Sequence, residues 1–259
     1  MLFLNTRPPD RAEPLTRQLE AAQIQVVELP LLELVEQPYS KQLANLYLQL
    51  PQVQVIVAVS PTAVHIGMHY LKYSGLLLKD LLHIQWVAVG KATEQALLTY
   101  GIQSHVPQVE TSEGMLALPV LEHLQQGTRI AFWRGEGGRV FMMDHLTRLK
   151  MSVLNFVLYT RQCPYVAQEV LRNSRYRFEQ ASYFSVLISS EASWLNWLDL
   201  VESCPEVLQK AYYLVLGSRL AAIVGDYRKK HHAFFTVIEI NDLHQETILQ
   251  QLMQVQGMS

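Results

Sequence analysis

The stretch "VIVAVSPTAV", Val55–Val64, indicates the fold class of this protein. Its first five residues are all apolar, as expected of a strand that is covered on both faces within a parallel sheet. Ser60 follows the strand, and serine is a residue type that caps helices. The stretch "WVAVG", Trp86–Gly90, has the same form, an apolar run that ends at a small residue. Both stretches predict a buried strand that leads into a helix.

Similar apolar runs recur along the whole chain and alternate with amphipathic segments. Segments such as "RAEPLTRQLEAAQ" and "ATEQALLTYG" have the spacing of helices that cover one face of a sheet. Strands that alternate with helices indicate βαβ units and parallel sheets, and therefore an α/β fold. The predicted strands are Leu2–Asn5, Gln25–Leu29, Val53–Val59, Gln85–Val89, Thr128–Trp133, Val153–Tyr159, Ser182–Ile188, Tyr212–Leu216 and Ala233–Val237.

The chain also contains an internal repeat. "FLNTRP" at Arg7 is similar to "IAFWRG" at Arg134. "WVAVGKATEQALLTYG" around Gly90 is similar to "YLVLGSRLAAIVGDY" around Gly217, at the same offset along the chain. "VIVAVSPTAV" resembles "SVLISSEASW" at nearly that offset when Ser60 is matched to Ser189. Because the spacing is nearly constant, the sequence predicts two related α/β halves.

Two stretches resemble linkers, Pro30–Ser40 and Thr160–Gln168. Simple tandem domains need one crossing, so two linkers indicate that the chain leaves its first domain early and returns to it late. We therefore predict a discontinuous first domain, residues 1–34 and 166–259. The second domain is predicted to be residues 35–165, with the ends of both connecting segments.

Composition excludes several classes of protein. The net charge of −2 and the charged fraction of 17% argue against a broad nucleic-acid surface. No apolar run approaches the roughly 20 residues that cross a bilayer, and the N-terminus does not resemble a signal peptide. Cys163 and Cys204 stand apart, which predicts reduced thiols rather than a disulfide framework or zinc site. We expect a cytoplasmic protein that binds neither membrane nor nucleic acid.

The predicted starts of the helices carry many residues that could hold an anion. Capping alone explains each of them. Together, however, the carboxyl ends of parallel strands meet at one edge of a sheet, where backbone N–H groups and helix dipoles attract negative charge. Two such edges would suit a large polyanion. The candidate binding residues at these junctions are Arg7, Ser60, Thr62, Gly90, Lys91, Thr93, Ser112, Arg134, Gly135, Ser189, Gly217 and Ser218.

The glycine-rich stretch "RGEGGR", Arg134–Arg139, is the most specific local feature. It is not a dinucleotide fingerprint, because Val140 stands where the last glycine would be, and no GK[ST] of a phosphate loop follows. Arg139 is predicted to lie in the first turn of a helix, where positive charge is unfavourable unless it meets an anion. An ordinary turn beside a solvated arginine remains the alternative.

Tyr159 and the histidines are the remaining candidates for chemistry. Tyr159 ends a predicted strand, where a phenol could act as a general acid or simply be an exposed amphipathic side chain. His65 and His69 are four residues apart on a predicted helix, but Ile66 stands where the glutamate of a zinc motif would be. We expect no metal site.

The order of these motifs resembles the uroporphyrinogen-III synthase family over essentially the whole chain. The matching motifs are "NTRP", "SPTAV", "VGKATEQALLTYG", "TSEGML", "RGEGGR" and "VLYTR". The resemblance implies two flavodoxin-like α/β domains with parallel sheets, joined by a two-stranded linker, with the active site in the cleft between the domains. It also implies cyclisation of hydroxymethylbilane to uroporphyrinogen III, with loss of water and inversion of the last ring. This step belongs to tetrapyrrole biosynthesis for haem and sirohaem, and the resemblance implies no metal or organic cofactor.

The resemblance assigns roles to individual residues. Tyr159 matches the tyrosine that would assist the departure of water. The residues matched to substrate-binding turns are Ser60, Thr62, Lys91, Thr93, Arg134, Gly135, Arg139 and Ser189. The chain departs from the family pattern at Ser190, where the family often has proline. It departs again at Gly217–Leu220, where the family often has a pair of threonines.

Two other functions fit a two-domain α/β protein. One is a non-catalytic binding protein for an anionic small molecule, and the other is a transferase that uses a sugar nucleotide. The transferase would need an acidic residue for the ribose, for which the sequence has no clear fingerprint. For the synthase we expect a monomer with a linear tetrapyrrole as its substrate. Transient contact with the preceding enzyme of the pathway stays open.

Overall fold

The computed structural model describes residues 1–137 and 140–257. They form two compact α/β units, which are described separately. Unit 1 comprises residues 1–33 together with the chain from residue 161 onward, and unit 2 comprises residues 34–160.

The bounds of the elements are as follows. The strands β1 to β10 are, in chain order, Leu2–Asn5, Gln25–Glu28, Glu33–Glu36, Val55–Ala58, Gln85–Ala88, Arg129–Gly135, Ser152–Gln162, Phe184–Ile188, Ala211–Leu216 and Thr236–Ile240. The helices α1 to α12 are Pro9–Ala21, Lys41–Tyr47, Pro61–Tyr73, Lys91–Leu98, Ser112–Leu116, Pro119–Glu122, Phe141–Arg148, Tyr165–Gln180, Glu191–Leu200, Pro205–Gln209, Gly217–Lys230 and Gln245–Gly257. Short 3₁₀ turns occupy Leu50–Gln52 and Leu78–Leu81.

Each unit contains a five-stranded sheet. The strand order is β10-β9-β8-β1-β2 in unit 1 and β3-β7-β6-β4-β5 in unit 2. Counted along the chain, the order in unit 1 is that of flavodoxin-like proteins, 2-1-3-4-5. The strand pairs apart from β3–β7 run parallel, which confirms the predicted parallel sheets.

The pair β3–β7 departs from that expectation. Gln37 N–H donates to the carbonyl of Leu158, while the Gln162 side chain contacts Glu33 at the other end of β3. Residue numbers therefore rise along β3 as they fall along β7, and the two strands run antiparallel. Both boundaries between the units fall within this pair of strands.

Apolar side chains cover both faces of the unit 1 sheet. On one face Phe3 and Leu214 pack with Leu15 of α1 and Ile248 of α12. On the other face the sheet packs against α8, α9 and α11, through residues that include Trp194. Because both faces are covered, strands such as β1 and β8 are buried along their whole length. This is the physical reason for their continuous apolar sequences.

Unit 2 is built in the same way. Ile56 and Trp133 face α2, α3 and α4. Val57 and Phe132, which are their neighbours along the strands, face α5, α6 and α7. The alternation of side chains along each strand thus divides the apolar residues between two cores.

The strand register supports the repeat that was inferred from the sequence. Leu2 lies opposite Gln25 in unit 1, and Arg129 lies opposite Ser152 in unit 2. Arg129 follows Leu2, and Ser152 follows Gln25, by the same number of residues that separates Gly90 from Gly217. The matched strands also have the same neighbours, because β1-β8-β9 in one sheet corresponds to β6-β4-β5 in the other. Each unit therefore combines one part of the first repeat with one part of the second.

The structure corrects several boundaries. The predicted linker Pro30–Ser40 contains β3, and the predicted linker Thr160–Gln168 consists largely of the end of β7 and the start of α8. The strand predicted over Ala233–Val237 begins at Thr236, because the preceding residues form the turn after α11. The sequence predicts domain limits at 34/35 and 165/166, and the boundaries of the compact units fall at 33/34 and 160/161.

The contact of Gly67 with Trp133 gives a test of packing in unit 2. A Cβ added to Gly67 would lie 2.2 Å from Cε3 of the buried Trp133 ring. We expect Gly67→Ala to lower the free energy of unfolding by about 1–3 kcal/mol, since overpacking a core forces its neighbours to shift. Chemical denaturation measures the change.

Gly225→Ala is the matched control. Gly225 also lies inside a helix, but a Cβ there meets nothing within 4 Å. We expect this change to stabilise the protein by about 0.5–1 kcal/mol, because alanine favours the helix. Equal effects of the two substitutions would contradict the packing argument.

Candidate functional site

Ser60, Gly135 and Tyr159 meet at the carboxyl edge of the unit 2 sheet. They belong to three neighbouring strands, because Ser60 closely follows β4, Gly135 ends β6 and Tyr159 lies in β7. The hydroxyl oxygens of Ser60 and Tyr159 are 3.0 Å apart. The carboxyl edge of a parallel sheet is where α/β proteins bind their ligands. This cluster of three residues is the centre of the candidate site.

Gly135 is required by the position of the Tyr159 ring. A Cβ at Gly135 would lie 2.4 Å from Cε2 and 2.5 Å from Cζ of that ring. The pairing of β6 with β7 shifts at this point, so that Gly135 lies opposite Tyr159, and Glu136 N–H donates to the Tyr159 carbonyl at 2.7 Å. Glycine at such a position permits either close approach of another group to the backbone or a sharp turn. In the structure the closely approaching group is the ring of Tyr159.

Tyr159 is buried, and Ser60 is half-buried beside it. Only 1% of Tyr159 is exposed. Ser60 caps α3, as predicted, because its Oγ accepts the Ala63 N–H at 3.1 Å. If the phenol donates to Ser60 Oγ, that oxygen accepts two hydrogen bonds and its own proton is available to a third partner. The pair can therefore pass a proton outward.

Arg134 does not lie at the start of a helix. It is within β6, is only 5% exposed, and donates from Nε to the carbonyl of Gly135 at 3.2 Å. Its Nη1 lies 3.1 Å from Sδ of Met143. The guanidinium is therefore held against the last residue of β6. Arg139, the other predicted arginine of the turn, lies outside the described residues.

The start of α4 already holds a carboxylate. Gly90 is the N-cap residue, and it has no side chain with which to cap. Lys91 N–H donates instead to Oε1 of Glu110 at 2.9 Å. Lys91 is exposed, whereas Thr93 is buried with 2% exposure. Glu110 is a residue that sequence reasoning missed. The only signal was an acidic residue just before a capping threonine.

The N-cap residue of α5 lies one residue earlier than predicted. Thr111, rather than Ser112, is the N-cap of α5, because its Oγ1 accepts the N–H of Gly114 at 3.0 Å. Ser112 is the first helical residue and is half-buried. Thr62, at the second position of α3, is also half-buried.

In unit 1 the structure exchanges the roles of two serines. Ser190, rather than Ser189, is the N-cap of α9, and its Oγ accepts the Ser193 N–H at 3.1 Å. Ser190 is therefore the equivalent of Ser60, and Glu191 stands where Pro61 stands in unit 2. Ser189 is half-buried just before the cap.

The start of α11 lies beside that of α9. Gly217 has φ +75°, a conformation that favours glycine, and Ser218 is exposed. Arg219 Nη2 is 2.9 Å from Oε2 of Glu191. At this departure from the family pattern, Arg219 therefore forms a surface ion pair with Glu191.

Arg7 lies just after the carboxyl end of β1, the strand next to β8 in unit 1. It is half-buried, and its N–H approaches Oδ1 of Asn5 at 3.5 Å. Burial is the main cause that lowers the pKa of Arg7, the charge of Arg11 adds to it, and Asp10 acts in the opposite sense. Arg7 and Arg11 line a pocket of about 520 Å³ with His244 near the start of α12.

The histidines of α3 have partners other than a metal. His65 Nδ1 is 3.1 Å from the hydroxyl of Tyr100, and His69 Nδ1 is 3.0 Å from Glu36.

Among residues 1–137 and 140–257, no helix combines the length and apolar character needed to span a bilayer.

The structure thus brings some of the predicted residues together and separates others. Ser60, Gly135 and Tyr159 form one cluster, and Gly90 and Lys91 follow the adjacent strand β5 at the same edge. Ser189, Gly217 and Ser218 follow the adjacent strands β8 and β9 of unit 1, and Arg7 follows β1 beside them.

Comparison with known proteins gives a consistent family. The family model described as HEM4, uroporphyrinogen-III synthase HemD, matches residues 13–243. This range includes every candidate site residue except Arg7.

Solved structures with similar folds include synthases from two bacteria. A mutant uroporphyrinogen III synthase from Thermus thermophilus is similar with a TM-score of 0.64 at 16% identity, and all of each chain is covered. Uroporphyrinogen-III synthetase from Helicobacter pylori 26695 is similar with a TM-score of 0.61 at 14% identity, and 98% of each chain is covered. At these identities the likeness concerns the fold.

The contact between Gly135 and Tyr159 gives a second test. We expect Gly135→Ala to displace the Tyr159 ring, to lower the free energy of unfolding by about 1–3 kcal/mol and to abolish most activity. In a Tyr159→Ala background the added methyl group meets no ring, so the same change should cost far less stability. Additive effects in this double-mutant cycle would show that the two positions are not in contact.

Proposed function

We propose how the strand ends described above serve catalysis, from the premise that the chain belongs to the uroporphyrinogen-III synthase family. The chain is accordingly a cyclising lyase of tetrapyrrole biosynthesis. It converts hydroxymethylbilane to uroporphyrinogen III, with loss of water and inversion of the D ring.

The chemistry of this substrate needs little from the protein in covalent terms. The terminal C–O bond breaks when its hydroxyl group takes a proton and leaves as water, while the pyrrole nitrogen supplies electron density to the remaining carbon. The substituted carbon of the last ring then attacks to give a spiro intermediate, which opens and closes again with that ring inverted. The ring carbon that forms the final bond loses its proton, so the proton balance is restored. The protein must supply a mild acid and hold the chain in one conformation.

The 3.0 Å contact of Tyr159 with Ser60 carries the proposal for the acid. Tyr159 is buried, so its proton reaches a substrate through a half-buried partner. Ser60 Oγ is placed for this, since it is bonded to the phenol and fixed by the Ala63 N–H. In the proposed step Ser60 gives its proton to the leaving hydroxyl group and takes one from Tyr159.

The contact with Gly135 fixes the orientation of the Tyr159 ring. A ring that lies against backbone on one side and is buried among core residues has little freedom to rotate. A general acid that is fixed in position before the substrate binds needs less reorganisation during the reaction. Arg134 donates a hydrogen bond to the Gly135 carbonyl and so helps to hold the backbone at this position.

The starts of the helices are proposed to hold the substrate. The substrate carries eight carboxylates, and the starts of α3 and α4 in unit 2 offer backbone N–H groups at one sheet edge. Thr62 and Lys91 provide the side chains there. In unit 1 the starts of α9 and α11 offer Ser190, Gly217 and Ser218. Two arginines complete the proposal, Arg7 after β1 and Arg139 of the glycine-rich stretch.

Three finer points belong to the proposal. We expect the enzyme to act in the cytoplasm, to be a monomer, and to need no cofactor. A transient contact with the preceding enzyme would shorten the life of the free substrate. Size-exclusion chromatography of the purified protein tests the oligomeric state, since elution as a dimer would contradict the monomer.

A coupled assay tests the reaction itself. Freshly made hydroxymethylbilane is supplied, and the isomers of the product are separated after oxidation. We expect the inverted isomer to form faster than spontaneous closure. Only non-inverted product, at the spontaneous rate, would leave the chain as a non-catalytic binding protein.

Tyr159→Phe tests the acid. We expect kcat to fall about 100-fold or more, because general acids contribute roughly 10²–10⁴-fold, while KM changes little. Ser60→Ala should lower kcat as well, because it interrupts the relay. The far-ultraviolet circular dichroism spectrum should stay unchanged.

Tyr165→Phe is the control for Tyr159→Phe. Tyr165 begins α8 in unit 1 and is 89% exposed. It should leave kcat unchanged. A Tyr159→Phe enzyme with the wild-type rate would remove the phenol from the mechanism.

A further inference from the structure

Glu110 occupies the position where a bound carboxylate is expected at α4. Its Oε1 accepts the N–H of Lys91 at 2.9 Å. Its carboxylate also lies against the bare Cα of Gly90, where a Cβ would come within 2.3 Å of Cδ and 2.4 Å of Oε2. The Glu110 carboxylate therefore fills the space that a side chain at position 90 would occupy.

Glu110 reaches this position from a separate segment. It lies beyond the end of α4, directly before the α5 cap Thr111, and it is exposed. Its contacts with α4 are therefore made at the surface, where one carboxylate can exchange with another through solvent. The structure shows which chemical group this helix start accepts, because a carboxylate is present there.

A substrate carboxylate and Glu110 cannot use the start of α4 together. The Lys91 N–H serves one acceptor well, and two carboxylates within a few ångströms repel each other. Binding of a substrate carboxylate at α4 therefore requires Glu110 to leave. The free energy that holds Glu110 in place is subtracted from the affinity for the substrate.

We propose that Glu110 is an internal competitor that occupies the carboxylate site at the start of α4 until a carboxylate of the tetrapyrrole displaces it. The inference rests on the proposed function for the identity of the ligand, but the exchange itself concerns carboxylates in general. Glu110 acts as a specificity-determining residue. A ligand with one carboxylate gains too little to displace it, whereas a polycarboxylate that is held elsewhere as well presents its next carboxylate at a high effective concentration.

Glu110→Gln separates competition from structure. Glutamine keeps the shape and can still accept the Lys91 N–H, but it removes the charge that the helix start attracts. Glu113→Gln is the matched control, because it removes the same charge from an exposed residue in the first turn of α5. The thermal stability of each variant is measured beside its binding.

The direct measurement uses uroporphyrin III, the stable oxidised form of the product, as the probe. We expect Glu110→Gln to bind it about fivefold more tightly than wild type, the size of one typical interaction between an anion and a helix terminus. KM for hydroxymethylbilane should fall by a similar factor. Glu113→Gln should match wild type in both. Unchanged or weaker binding by Glu110→Gln would overturn the proposal and leave Glu110 as a helix cap.

The amide resonance of Lys91 provides a readout that does not depend on activity. In ¹⁵N-lysine-labelled wild type we expect its position to differ from that in Glu110→Gln, because the charged acceptor of the Lys91 N–H is replaced by a neutral one. In both proteins it should move when uroporphyrin III is added, and in Glu110→Gln it should move at a lower porphyrin concentration. A wild-type Lys91 resonance that ignores the porphyrin would overturn the exchange even in an active enzyme. Porphyrin binding of this kind without turnover would sink the proposed reaction and leave the exchange standing.

Discussion

The close packing of the Tyr159 ring against Gly135 is the constraint on which the unit 2 site depends. Because Gly135 has no side chain, two neighbouring strands can bring a ring and a backbone within van der Waals distance at their carboxyl ends. The phenol is then directed at Ser60, which the next strand supplies. Three adjacent parallel strands place these groups together, so the cluster follows from the strand order.

The starts of the helices at the sheet edges of the two units are of two kinds. At α3 and α9 a serine of the cap itself satisfies a backbone N–H. At α4 the cap is glycine, and a carboxylate from another segment takes the place of the missing side chain. The first kind stabilises the helix from within, whereas the second leaves an N–H group that an exchangeable anion can occupy. This difference is why the start of α4 is the most informative of the candidate anion sites in unit 2.

The repeat explains why the two units are alike although one is discontinuous. Strand pairs with the same register recur at the offset of the sequence repeat, but β1 and β2 complete a sheet with β8 to β10, and β6 and β7 complete one with β4 and β5. Each unit therefore needs residues from both repeats to cover its sheet. Because each sheet contains strands from both repeats, the two repeats share each hydrophobic core.

The amino-acid sequence was enough to predict the fold class, the repeat and most strands, because burial on both faces requires continuous apolar runs such as β4. It also determined that Ser60 caps a helix and that Tyr159 ends an apolar run. The tertiary structure established the antiparallel strand β3, in which three of the four residues are exposed and only Leu34 and Val35 are apolar. It also decided that Arg134 is buried and that Glu110 meets Lys91. The pairing of β3 with β7 and the contact of Glu110 with Lys91 join separate segments of the chain, and Arg134 is buried in β6, which lies between two other strands of its sheet. No local pattern encodes these features.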